Sequence, residues 1–275
     1  MKSNNTFYKV VLAIEPIIIF VCVKELVKLI VHNLAMNFSA NDVTAFGVYW
    51  GQFKTFQEVT NFLQSKLVYI GILSNLILLV IIGLMYLGHY KKRKAVKSPG
   101  AVYYLKALVA TVCIGLVVDN LITISGLRGS SEKYQTVVQS TADMSFWIMI
   151  AATVILAPIV EELVFRGLVY TRCRELFGVI PATVISAACF GLVHGNLVQF
   201  IYAGIIGVFL CIFYEKGRSV WVPIICHMAV NMVALLSNYY GIFSWMYTNN
   251  MTFIGALLVY TGLSVILVGN LRRRK

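Results

Sequence analysis

Charge is scarce in this 275-residue chain: Asp, Glu, Lys and Arg supply only 12% of it, and acidic residues number 11 against 23 basic ones. Hydrophobic residues make up 59%, and mean hydropathy is +0.82. The chain carries several apolar stretches near the length of about 20 residues that one bilayer-crossing helix requires. That balance excludes an ordinary soluble globule. It predicts an all-α polytopic membrane protein of about eight transmembrane helices, near residues 10–30, 67–87, 102–124, 146–169, 180–194, 197–213, 220–236 and 253–269.

Other absences narrow the class further. No internal repeat or low-complexity tract breaks the chain, which favours a single membrane domain over residues 1–275. Without an inverted repeat or paired broken helices, a proton-coupled transporter loses its expected signature. The six cysteines (Cys22, Cys113, Cys173, Cys189, Cys211 and Cys226) show no paired spacing and fall in spans or on the reducing side, so neither disulfides nor a cysteine metal site is expected. The first apolar run is broken by Glu15 and Pro16 and followed by Lys24, Glu25 and Lys28 instead of a small-residue cleavage site. It reads as a retained span and not a signal peptide.

The net charge of +12 does not point to nucleic acid, because the basic residues are divided among short loops beside spans. Fifteen of the 23 fall in alternate segments: Lys2 and Lys9, the cluster from Lys91 to Lys97, Arg172 and Arg174, Lys216 and Arg218, and Arg272 to Lys275. The opposite loops hold only Lys54, Lys66, Arg128 and Lys133. A cell-membrane protein with both termini cytoplasmic is predicted, with the bilayer itself as its general partner.

What the chain does have is concentrated polarity. Residues 1–140 offer only Glu15, Lys106 and Asp119 as strong in-membrane polar groups, and these assemble no motif. Residues 144–238 form the core where chemistry is sought. There Glu161, Glu162 and Arg166 share one apolar run, and His194 and His227 occupy two others, the second followed by Asn231. Each charge at a span centre costs about 2.5–3.5 kcal/mol on insertion scales, so such a cluster implies compensation or a wet cavity. Glu162 and Arg166, four apart, share a helix face and can pair, while Glu161 is rotated by about 100° and is free to act elsewhere. Pro158 removes a backbone amide and is predicted to free the Val154 carbonyl and bend the helix. His227 and Asn231, also four apart, present a ring nitrogen and an amide to a developing oxyanion. His194 with Glu161 can polarise a water, or Glu161, His194 and His227 can ligate a metal. Counted from the expected span ends, Glu161 and His227 lie at about 13 and 10 Å, but His194 lies deeper at about 20 Å. Small-residue pairs, Gly191 with Gly195 and Ala203 with Gly207, predict close helix packing near His194.

The patterns Pro158-x-x-Glu161-Glu162-x-x-x-Arg166-Gly167, Phe190-x-x-x-His194 and Trp221-x-Pro223-x-x-x-His227-x-x-x-Asn231 resemble, in order and spacing, the three motifs of the CAAX protease and bacteriocin-processing (CPBP, or Abi) intramembrane proteases. The resemblance implies an eight-helix membrane endopeptidase with a water-filled cavity opening to the cytosol. It makes Glu161 the base that activates water with His194, Glu162 and Arg166 its support, and His227 and Asn231 the oxyanion site. It implies either no cofactor or a divalent metal such as zinc, although the H-E-x-x-H spacing of soluble zinc proteases is absent. The implied substrate is a membrane-associated peptide or small membrane protein, in peptide maturation, bacteriocin processing, self-immunity or CAAX-type C-terminal trimming. The alternative is a non-catalytic scaffold or regulator that binds a membrane partner protein, such as a sensor kinase or bacteriocin target.

Overall fold

The structure, a computed structural model, describes residues 6–37, 44–45, 48–49, 65–90, 98–142, 144–243 and 249–272. Its helices in chain order are α1 (Thr6–Asn37), α2 (Leu67–Tyr90), α3 (Ala101–Ile124), the short α4 (Leu127–Ser130) and α5 (Glu132–Ala142), a long composite α6 (Phe146–Phe177), α7 (Val179–Leu192), α8 (Leu197–Gly217), α9 (Trp221–Tyr240) and α10 (Asn250–Arg272). One two-residue antiparallel pairing joins Thr44–Ala45 to Val48–Tyr49.

Every predicted span coincides with a helix. Six of them are long and apolar enough to cross a bilayer: α2, α3, α6, α8, α9 and α10. α7 is a shorter apolar helix, and α1 runs for 32 residues with Pro16 inside it. The protein is an all-α, multi-pass membrane protein. In hydrocarbon the helix is favoured because it satisfies its own backbone hydrogen bonds.

Local signals set the breaks. Gly178 (φ +84°) turns the chain between α6 and α7, and Gly195 (φ +73°) turns it between α7 and α8, conformations that favour glycine. The Asn196 side chain then accepts the Gln199 amide at 2.9 Å and caps α8. Gly195 therefore serves a turn and not the helix contact its spacing from Gly191 suggested.

The packing places the helices that matter around α6. α1 and α2 pack on one side of it, α7 and α9 on others, α8 pairs with α7, and α10 lies outside against α3. One core cluster gathers Phe20, Leu78, Ile82, Val160, Val164, Phe165, Leu168, Phe190 and Ile224. Gly191 allows the α7–α8 crossing, since a Cβ there would sit 2.7 Å from the Phe200 carbonyl oxygen. Gly191→Ala is expected to cost about 1–3 kcal/mol through forced separation of the two helices, seen as a lower Tm in detergent. Gly204→Ala, whose Cβ would meet nothing closer than 3.9 Å, is the tolerated control.

Candidate functional site

α6 is not one uniform helix. Two π-helical stretches, Ile150–Leu156 and Leu163–Tyr170, flank a single α-helical segment, Ala157–Glu162, that carries both glutamates. In π geometry each carbonyl looks five residues ahead for its donor. The carbonyl stranded by Pro158 is therefore that of Thr153 and not of Val154, and the Asn231 side-chain amide of α9 donates to it at 2.8 Å. The second π stretch leaves carbonyls that other side chains also satisfy. The Ser186 hydroxyl of α7 donates to the Phe165 carbonyl at 2.8 Å, and the Thr171 hydroxyl donates to the Arg166 carbonyl at 3.0 Å. Buried backbone acceptors of this kind need partners, and α6 obtains them from α9, from α7 and from its own Thr171.

Between the π stretches lies a chain of buried ionisable groups. Glu162 and Arg166 are fully buried, and Arg166 Nη1 donates to Glu162 Oε1 at 2.7 Å. Arg166 Nη2 also donates to the Gly207 carbonyl at 3.1 Å, and the guanidinium lies over the Phe190 ring at 4.5 Å. Gly207 leaves room for this, because its Cβ would fall 3.1 Å from Arg166 Nη2. His227 Nδ1 is 2.9 Å from the same Glu162 oxygen, which fixes the ring so that Nε2 faces Glu161 Oε2 at 3.9 Å. That separation is too long for a direct hydrogen bond and is of the kind a bridging water serves.

Phe190 is the plate against which these groups are set. Its ring packs edge-to-face with Phe165, His194 and His227, at centroid distances of 5.3, 5.2 and 5.5 Å. His194 Nδ1 meets the Phe190 carbonyl at 2.8 Å, so its tautomer is fixed locally and Nε2 is left for the site. Glu161, Lys24 and His227 are the charged or titratable groups that act on it. The depth mismatch expected for His194 disappears. α6 continues past the expected end of its span to Phe177, and from the Gly178 turn Glu161 lies about 17 residues back and His194 about 16 residues on. At roughly 1.5 Å per residue those are nearly equal heights.

Of the six residues singled out from sequence, Glu161, Glu162, Arg166 and His227 form one contact chain. His194 reaches it through Phe190, while the contact made by Asn231 is the one with Thr153. Sequence reasoning missed Lys24 of α1, whose Nζ lies 4.0 Å from Glu161 Oε1. Its neighbours Glu25 and Lys28 suggest a span end, but α1 extends to Asn37 and places Lys24 near its middle. Of the other polar groups in the first half, Asp119 pairs with Arg128 and Glu15 with Arg172, as structural residues would.

The residues available to a metal do not fit a three-ligand centre as arranged. Among the described residues no group of three His, Cys, Asp or Glu side chains is placed to hold an ion. A cavity of about 870 Å³ does open beside α6, lined by Tyr86, Leu163, Tyr170, Arg174, Glu215 and Trp221 among others, but neither Glu161 nor Glu162 lines it. It lies apart from the charged chain.

Residues 143–233 match the family model described as Type II CAAX prenyl endopeptidase Rce1-like. This segment contains all three motifs, so the resemblance read from them is borne out. The Bacillus subtilis (strain 168) protein named "Putative membrane peptidase YdiL" is 26% identical over 111 residues, which are 40% of this chain and 45% of that protein. The similarity thus spans less than half of the relative. No solved structure matches the chain.

Proposed function

We propose that this protein is an intramembrane endopeptidase that hydrolyses a peptide bond of a membrane-associated peptide or small membrane protein, with Glu161 as the base. The observation that carries the reading is the pairing of two adjacent buried glutamates with different surroundings. Glu162 is held by Arg166 and His227, whereas Glu161 keeps an oxygen turned toward His227 Nε2 without a direct bond to it. One carboxylate is structural and the other is available for proton transfer.

A water between Glu161 and the imidazoles gives its proton to Glu161 as its oxygen attacks the peptide carbonyl. His194, with Nδ1 engaged by Phe190, turns Nε2 toward that water. The second N–H of the Asn231 amide stabilises the tetrahedral oxyanion, and His227, whose Nδ1–H is taken by Glu162, joins it from Nε2 as the imidazolium. Collapse breaks the C–N bond, and Glu161 returns the proton to the departing amine. Peptide and water are converted to acid and amine, with the glutamate restored. This is the glutamate reading of the site; in the metal-dependent alternative Glu161, His194 and His227 would be the ligands of a divalent ion such as zinc. The basic segments support an orientation with both termini in the cytoplasm.

The family model and the one relative support a membrane peptidase, and the settings proposed for it are CAAX-type trimming, peptide maturation, bacteriocin processing or self-immunity. The decisive assay uses purified protein in lipid nanodiscs with internally quenched peptides drawn from short membrane-associated proteins, with and without a chelator. Cleavage is expected to persist with chelator and to vanish in Glu161→Ala. Loss with chelator and recovery with zinc would replace the glutamate mechanism by a metal one. A cellular phenotype kept intact by Glu161→Ala would favour the scaffold role.

A further inference from the structure

We infer that Lys24, supplied by α1 from outside the segment that matches the family model, is a positioning residue of this site: it is the counter-charge that holds Glu161. The inference rests on the reading of Glu161 as the base, and its structural basis is independent of that reading.

The first support is register. α1 and α6 run antiparallel and touch at three successive levels. Glu15 Oε2 meets Arg172 Nη1 at 3.3 Å, the Phe20 and Phe165 rings pack edge-to-face at 5.7 Å, and Lys24 Nζ meets Glu161 Oε1 at 4.0 Å. Phe20 and Lys24 are four apart on α1, and Glu161 and Phe165 four apart on α6, so each pair stacks on one helix face. The two ion pairs have opposite polarity, acid on α1 with base on α6 and then the reverse. A one-turn slip would break both, which makes the Lys24–Glu161 contact a consequence of helix docking and not of a wandering side chain.

The second support is charge balance. Without α1 the buried chain sets two carboxyl groups, Glu161 and Glu162, beside one guanidinium, Arg166, with the His227 imidazole between them. An unpaired buried charge is what membrane interiors tolerate least. Lys24 adds a second cation to the cluster, in the order Lys24, Glu161, His227, Glu162, Arg166, so that a base stands beside each carboxyl group and a carboxyl group on each side of the imidazole. Lys24 is itself steadied by the Phe20 ring, 4.1 Å from Nζ. It lies 4.0 Å from Glu161 Oε1, while Oε2 lies on the side of His227, so the attraction of the ammonium favours the orientation in which Oε2 faces the imidazole.

The test uses the full-length protein in nanodiscs and four variants: Lys24→Met, Lys24→Arg, Glu161→Gln and the Lys24→Met/Glu161→Gln pair, with Glu15→Gln as a control at the other ion pair of the same register. Lys24→Met is expected to lower Tm, and the double variant to recover most of that loss, because removing both charges leaves none stranded. On a quenched peptide that the wild type cleaves, Lys24→Met is expected to lower kcat by about tenfold or more with KM little changed, whereas Lys24→Arg and Glu15→Gln keep most of kcat. If Lys24→Met does not fold, the double variant still decides: recovery of folding supports the pair, and failure to recover overturns it. Additive Tm losses, or a Lys24→Met enzyme with wild-type kcat, would also overturn the inference. Failure of the underlying reading looks different: no cleavage by wild type would remove the protease, and wild-type cleavage by Glu161→Gln would remove Glu161 as the base, while in either case the Tm cycle would still report the ion pair.

Discussion

Glu161→Gln is expected to leave the protein folded and to cut kcat by about 10²- to 10⁴-fold, the range that a positioned general base supplies. Glutamine preserves the volume of the side chain but can neither accept the proton of a water nor return it to an amine. Because Glu161 acts on the water, KM should change little, the pattern of an interaction made only in the transition state. The fold should survive because the stranded partner is Lys24, whose side chain is about one-third exposed and whose flexible stem lets the ammonium move away from the amide. Single-turnover cleavage of a quenched peptide, beside a melting curve of the same preparation, separates loss of chemistry from loss of structure. A variant with undiminished kcat would remove Glu161 from the reaction.

Arg166→Met is expected to have the largest effect on stability. The arginine has no exposed surface, donates to Glu162 at 2.7 Å and to the Gly207 carbonyl at 3.1 Å, and covers the Phe190 ring. Its removal leaves a fully buried carboxylate opposed only by His227, and a backbone acceptor with no donor from Arg166. Breaking a buried pair from one side typically costs about 3–5 kcal/mol, a substantial drop in the melting temperature. Arg166→Met/Glu162→Gln should regain much of the stability, since no charge is then stranded. It should not regain activity, because His227 would lose the anion that holds its ring. Equal Tm values for wild type and Arg166→Met would show that the pair does not carry the burial assigned to it.

The two predictions differ in how readily their residues can be read from the chain. Glu162–Arg166 is an i, i+4 pair, so the pairing follows from helical period alone, and the same rule set Glu161 apart from it. That a helix stands at each of the eight expected spans followed from the length of the apolar runs, six of these helices being long and apolar enough to cross a bilayer among the described residues. Lys24 was hidden for the opposite reason. Nothing within α1 distinguishes a lysine at a span end from one aimed at a carboxylate more than 130 residues away in the chain. The π geometry was equally hidden. Pro158 announced a freed carbonyl, but whether that carbonyl belongs to Val154 or Thr153 depends on a local change of winding, and winding is stabilised by donors such as Asn231 and Ser186 from other helices. The apparent depth of His194 went wrong through one boundary, because an apolar run does not mark where α6 ends when basic residues continue the same helix to Phe177.

By itself, then, the order of residues determined the membrane-spanning helices, the two glutamates with their arginine, and the motifs that the family model also finds in residues 143–233. These are consequences of bilayer thickness and of a 3.6-residue period, both of which act along one helix. Tertiary structure decided which carboxylate is bound and which is open, which ring nitrogen faces it, and that α1 supplies a cation to the site. Those depend on the rotation and register of one helix against another, which are set by packing of Phe20, Phe165 and Phe190 and by the need to neutralise buried charge.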